Sequence, residues 1–243
     1  MFFLQLHFTM KIECLTITGV DNQTPIEDII SLSEEFPLLE WGILLSPKSF
    51  GKIYYPDLQW IEKLTSTSSS ISISGHVCGI WLHDILQGRF PGELNTLPFG
   101  RLQLNLAKYI PQVRIQNLKK SLPRNRSFIL QVGEYYLEGI TLANELHDAG
   151  YTVAILYDIS GGAGISPSEW KSFPEGLPVG YAGGLGPDNL ESELTKLRPI
   201  VGNRSIWINM QAKIRTNYKR SIDFGKIKSC THQFLSFTKN ILI

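Results

Sequence analysis

The chain has 243 residues, 23 Lys+Arg against 22 Asp+Glu for a net charge of +1, and 43% hydrophobic and 19% charged residues. These values lie near globular averages and exclude wholesale disorder and fibrous repeats. Near-neutrality leaves no global field for nucleic acid, and three scattered cysteines, Cys14, Cys78 and Cys230, argue against a disulfide framework or a structural zinc site.

The start, MFFLQLHFTMK, is apolar but has neither a basic leader nor a small-residue cleavage site. It reads as a short extension over residues 1–10, with Met10 as an alternative start, rather than a signal peptide. No apolar run reaches the roughly 18 residues that span a bilayer. The expected setting is cytoplasmic and reducing, and the expected assembly a monomer or homodimer.

Strand-like and helix-like segments alternate along the chain. Strand one covers Cys14 to Thr18, and Pro25 opens a helix with Ile26, Ile29, Ile30 and Phe36 on one side. EWGILL, residues 40–45, is strand two, followed by the loop SPKSFGKIYY and a helix from Pro56 to about Leu64. SISIS, residues 70–74, runs as strand three into GHVCG, and WLHDILQG makes a short helix. RLQLNL, residues 101–106, is strand four, with a helix around 111–121. RSFILQVG is strand five, and Leu137, Ile140, Ala143 and Leu146 mark a helix closed by a left-handed Gly150. VAILYDI is strand six, a run fit to be buried on both faces. LPVGYAGGL holds strand seven, with a helix from GPDN through Leu190, Leu194 and Leu197. SIWINM is strand eight, and a last helix runs from Asp223 through Ile227 and Phe234.

Eight strands with about eight helices imply parallel strands and right-handed crossovers. Dividing 243 by eight leaves about 30 residues per unit, the size of one βα repeat in an eightfold barrel. The expected fold is a single-domain (βα)8 barrel, the TIM barrel.

In that fold the site lies at the C-terminal strand ends. Polar candidates there are Thr18, Lys48, Lys52, His76, Cys78, Asn105, Gln131, Asp158 and Asn209. SGGAG, residues 160–164, follows strand six, and AGGLGPDN, residues 182–189, follows strand seven. Glycines let backbone N–H groups approach an anion, and a helix N-terminus adds free donors. The same glycines also suit tight turns. No Gly-Lys-Ser/Thr follows, so neither is a P-loop.

The runs LYDISGGAG…W, VGYAGGLGPDN and WINMQAKIRT resemble the last third of the phosphoribosylanthranilate isomerase family. ITGV…PIEDI and WGILLSPKS resemble its earlier segments more weakly. The resemblance implies a barrel that binds a phosphoribosyl compound and performs an Amadori rearrangement, which needs a general acid and a general base. Asp158 matches the family's acid. Thr18 stands where the family has its Cys base, Gly51 with Lys52 beside it where it has an Arg for the anthranilate carboxylate, and Asn209 where it has an Asp. The phosphate-end glycines Gly161, Gly162, Gly164, Gly183 and Gly184 remain, with Asn189 and Lys52 as further ligand contacts.

Two readings of Cys78 stand open: a substitute base, with His76 on the same strand face to assist it, or a small buried residue packing against the helix, with His76 a hydrogen-bonded loop residue. Asp21 ranks below Cys78, because turn aspartates usually serve their own backbone. Trp170 is expected to pack beside its loop. The basic run 213–220 draws in phosphate or is merely solvated, and the acidic positions Glu27, Asp28, Glu34, Glu35 and Glu40 read as a solvated helix face. No metal or organic cofactor is expected, and the partner is a small phosphorylated substrate, with neither nucleic acid nor membrane. The alternatives are an inactive barrel that keeps its phosphate ligand, and a lyase with Lys48 or Lys52 as nucleophile.

Overall fold

The second predicted strand is buried along its whole length, Leu39–Leu45, as a strand covered on both faces must be. In the computed structural model, which describes residues 10–67, 70–216 and 220–239, it is one of eight parallel strands that close in chain order into a barrel. These are β1 (Lys11–Thr18), β2 (Leu39–Leu45), β3 (Ser72–Val77), β4 (Arg101–Leu104), β5 (Ser127–Val132), β6 (Thr152–Asp158), β7 (Val179–Ala182) and β8 (Ser205–Met210). Closure is by β8 onto β1, with Ile208 opposite Leu15 and Met210 opposite Ile17. The expected (βα)8 barrel is therefore the fold.

Around it lie α1 (Ile26–Glu35), α2 (Leu58–Thr67), α3 (Gly79–Leu86), α4 (Glu93–Thr96), α5 (Ile115–Ser121), α6 (Tyr136–Asp148), α7 (Leu190–Val201) and α8 (Phe224–Lys239). Gly150, at φ +83°, turns the chain out of α6 as its position predicts. Of the expected extension, residues 1–9 lie outside the described residues, as do 217–219 of the basic run and 68–69 of the serine-rich stretch TSTSSS at 65–70, which is expected to be a loop leading into strand three. Met10 is buried. Among the described residues no helix is long and apolar enough to cross a membrane.

The helix distribution departs from one per crossover. The β3–β4 connection carries two helices, and α4 is a single turn. The β6–β7 connection, 159–178, carries none. Aromatic side chains replace that helix. Tyr157 and Tyr181 face outward from β6 and β7, and Phe173 and Trp170 pack on them edge to face at 5.9 and 5.7 Å. Trp170 donates its indole N–H to Glu193 at 2.8 Å, so it packs beside its loop as expected. Large rings cover a strand pair with few residues.

The barrel interior is split. On the β5–β8 side Ile129, Leu156, Ala182 and Trp207 form an apolar cluster. On the β1–β4 side it holds Thr16, Glu40, Ser74, His76 and Gln103, all buried. Trp207 is accommodated because β7 has glycine opposite it: a Cβ on Gly180 would lie 2.1 Å from the indole. Gly180→Ala is expected to cost about 1–3 kcal/mol by overpacking, read as a lower urea midpoint. An unchanged midpoint would show that the indole can move aside.

Candidate active site

Strand alternation sends Thr18, His76, Gln103, Gln131, Asp158 and Asn209 inward at the C-terminal strand ends, where they line one cavity. Gly161, Gly162, Gly164, Gly183, Gly184 and Cys78 line it too. The six exposed large apolar side chains among the described residues, Ile53, Ile80, Tyr135, Leu137, Ile159 and Ile165, all lie on the connections at this end. Sequence position and concavity thus agree on the site.

Asp158 is committed to its own loop. Its Oδ1 accepts from the Ser160 N–H at 2.9 Å, the Ser160 hydroxyl at 2.8 Å and the Gly161 N–H at 3.2 Å. Its Oδ2 accepts from the Gln131 amide at 2.8 Å, which leaves one lone pair of Oδ2 for a ligand. Thr18 donates its hydroxyl to Asn209 Oδ1 at 2.9 Å, so two positions that differ from the resembled family pair with each other.

The two glycine turns meet at the cavity. Gly184 has φ +57°, and a Cβ there would sit 2.5 Å from the Ser166 backbone nitrogen. Only glycine serves at such a position. The N–H groups of Gly184 and Leu185 donate to no protein acceptor among the described residues. Gly162, at φ +88°, faces the Gln211 amide from the loop after β8.

Cys78 and His76 line the cavity without acting on each other's side chains. The Cys78 sulfur lies 3.5 Å from the His76 carbonyl oxygen, not from the imidazole, and accepts from the Asn105 amide at 2.8 Å. Burial pushes the Cys78 thiol up to about 12, against a smaller opposing effect of that amide. Burial also pulls His76 down to about 4, although Glu40 opposes this. A neutral imidazole supplies no charge to stabilise a thiolate, so the geometry gives no support to Cys78 as the base.

Beneath His76 lies a polar layer in place of the usual branched aliphatics. Arg101 grips Glu40 with two N–H groups, at 2.7 and 2.8 Å. Thr16 and Ser74 donate their hydroxyls to Glu40 Oε1 at 2.9 and 3.0 Å. Burial alone would raise the Glu40 carboxyl; the Arg101 bonds override it and hold the group below the usual carboxylate range. The Arg101 guanidinium also lies over the Trp207 ring, 4.6 Å from its centroid. Glu40 is therefore no part of a solvated helix face.

Three other expectations are corrected. Lys52 is exposed, donates to the Lys48 carbonyl at 2.9 Å, and does not line the cavity, because its loop folds back on itself at Tyr55. Asn189 braces its own turn, accepting from the Gly186 N–H at 3.0 Å and donating to the Gly184 carbonyl at 2.9 Å. The basic run is partly internal. Arg215 is buried, pairs with Asp21 at 3.0 Å, lies over Tyr54 and bonds the Gly19 carbonyl, tying the first, second and eighth loops together.

Gln103 is not among the polar strand-end candidates, although RLQLNL carries the signal. Its leucines alternate outward, so Arg101, Gln103 and Asn105 share the inner face. Among the described residues no group of three His, Cys, Asp or Glu side chains is placed to hold a metal ion.

Fold and site together define a (βα)8 barrel with a polar cavity at its C-terminal mouth. The sequence matches no family model and no curated protein. Solved structures match the fold. Phospho-2-dehydro-3-deoxyheptonate aldolase (DAHP synthase) from Thermotoga maritima is 12% identical over 95% of this chain and 70% of its own, with a TM-score of 0.57. A truncated form of 3-deoxy-D-arabino-heptulosonate 7-phosphate synthase from Thermotoga maritima is 12% identical over 96% and 88%, with a TM-score of 0.58.

Proposed function

We propose that this barrel binds a phosphorylated sugar at its C-terminal mouth, in the manner of the phosphoribosylanthranilate isomerase family that its glycine turns resemble. The observation that carries the reading is the meeting of the two glycine turns on one cavity, with the N–H groups of Gly184 and Leu185 left without protein acceptors among the described residues. Backbone N–H groups at a glycine turn ahead of a helix are suited to a phosphate. The DAHP synthases, by name, concern a phosphorylated heptulosonate, the same broad ligand class.

Turnover by Amadori-type isomerisation would use Asp158 as the acid. A second reading, a binding barrel without that chemistry, is favoured by the state of the base candidates. The Cys78 thiol is pushed up to about 12 and Thr18 spends its proton on Asn209.

Thermal shift tests the ligand class. Ribose 5-phosphate at one hundred times its Kd is expected to raise Tm by about 5–10 °C. No shift with inorganic phosphate or any phosphate ester would sink the proposal. Complementation of an isomerase-deficient strain is expected to be weak or absent, and robust growth would show that the base argument fails.

A further inference from the structure

The phosphate end of the cavity accounts for the β6–β8 side; the β3–β5 side has its own unused chemistry. Among the described residues one buried side-chain nitrogen or oxygen lacks a hydrogen-bond partner: Gln103 Oε1. The residue is 3% exposed and lines the cavity. Its amide NH2 donates to Asn105 Oδ1 at 2.7 Å, while the carbonyl oxygen has no partner. A buried polar atom left unpaired costs about 1–3 kcal/mol, and at the wall of a cavity a ligand donor removes that cost.

His76 supplies a second acceptor by elimination. Ser74 has one hydroxyl proton and donates it to Glu40 Oε1 at 3.0 Å. Its oxygen, 3.2 Å from His76 Nε2, therefore accepts from that nitrogen. The proton sits on Nε2, and Nδ1 keeps its lone pair. Burial keeps the ring uncharged.

The two acceptors narrow the ligand further. A ligand carboxylate offers only acceptors, so neither Gln103 Oε1 nor His76 Nδ1 can pair with it, and it would lose its water there without compensation. A hydroxyl loses little and pairs with an amide carbonyl or an imidazole nitrogen.

We propose that the β3–β5 side of the cavity binds the uncharged, hydroxyl-bearing part of the ligand, with Gln103 Oε1 and His76 Nδ1 accepting hydrogen bonds from its hydroxyls. The inference rests on the phosphosugar reading and narrows it to neutral sugar or polyol phosphates, excluding sugar acids and aromatic carboxylates.

Calorimetric titration tests it with inorganic phosphate, ribose 5-phosphate, 3-phosphoglycerate and unphosphorylated ribitol, on the unaltered protein and on Gln103→Leu. Ribose 5-phosphate is expected to bind at least about tenfold more tightly than phosphate or 3-phosphoglycerate. Gln103→Leu is expected to weaken ribose 5-phosphate about fivefold to tenfold while leaving inorganic phosphate unchanged. The ligand-free variant should melt no lower than the unaltered protein within about 2 °C, because it loses an unpaired acceptor along with one bond. Equal affinity for 3-phosphoglycerate, or an unchanged ribose 5-phosphate affinity in Gln103→Leu, overturns this inference and leaves the phosphate cradle standing. Ribitol binding that Gln103→Leu weakens, with no phosphate binding, overturns the cradle and leaves this inference standing. If none of the four binds, both fall. Should Gln103→Leu not fold, the comparison of ribose 5-phosphate with 3-phosphoglycerate on the unaltered protein still decides the matter.

Discussion

Arg101→Met is expected to destabilise the barrel by about 3–5 kcal/mol at pH 7, read by urea unfolding. The substitution keeps the aliphatic stem but removes both bonds to Glu40, whose side chain is 6% exposed. A buried carboxylate without its cation is the costly species. Glu40→Leu is expected to cost less, because the Arg101 side chain is 21% exposed and keeps some water and its contact with Trp207. The double variant should recover most of the loss, since removing both charges leaves none uncompensated. pH gives an independent check. Without Arg101, burial raises the Glu40 carboxyl, so the Arg101→Met penalty shrinks as the pH falls toward 5 and Glu40 takes up a proton. A single-variant loss below about 1 kcal/mol, or strictly additive losses, would refute the assignment.

Stability is expected to fall as the pH drops from about 6.5 to about 4, by about 3 kcal/mol in total, through His76. The sign follows from proton uptake. The unfolded chain protonates this histidine near 6.5, whereas the buried ring, among Ser74, Glu40 and Arg101, resists until about 4. Between those values the unfolded state binds more protons, so acid favours unfolding. Glu40 acts in the same direction but in a lower window. Its folded carboxyl lies below the ordinary 4.5, so its contribution is lost only as the pH falls below that value. His76→Asn removes the upper window. It is expected to lower stability at pH 7, through the lost Ser74 bond, and to flatten the slope between pH 6.5 and 5 by one proton. Denaturant titrations at several pH values measure that slope. An unchanged slope in His76→Asn would place the uptake elsewhere.

Both effects come from residues whose surroundings were differently legible. Strand order, closure and the end of the barrel that carries the cavity follow from periodicity. Runs of period two and of period 3.6 alternate along the chain, and each is a local property. The missing sixth-crossover helix was less legible, because 159–178 is full of turn residues and its cover is a set of aromatic contacts between segments distant in sequence.

The site divides in the same way. Thr18, Asp158, Asn209 and the glycine turns lie where strand ends must bring them. Lys52 and Asn189 were misplaced because a loop can fold on itself or cap its own helix, and composition does not distinguish this from binding.

Local patterning in the chain carries the barrel, the strand ends where the candidate site lies, and the glycine positions where backbone can approach an anion. The closed barrel adds what that patterning does not carry: Glu40 lies inside with Arg101, Cys78 is a half-buried thiol pushed up to about 12, and Gln103 lines the cavity with its carbonyl oxygen unpaired. The reason is physical. Side-chain direction repeats along a strand and can be read locally. Desolvation and pairing depend on which residues meet when the sheet closes, and Glu40 and Arg101 meet across 61 positions of chain.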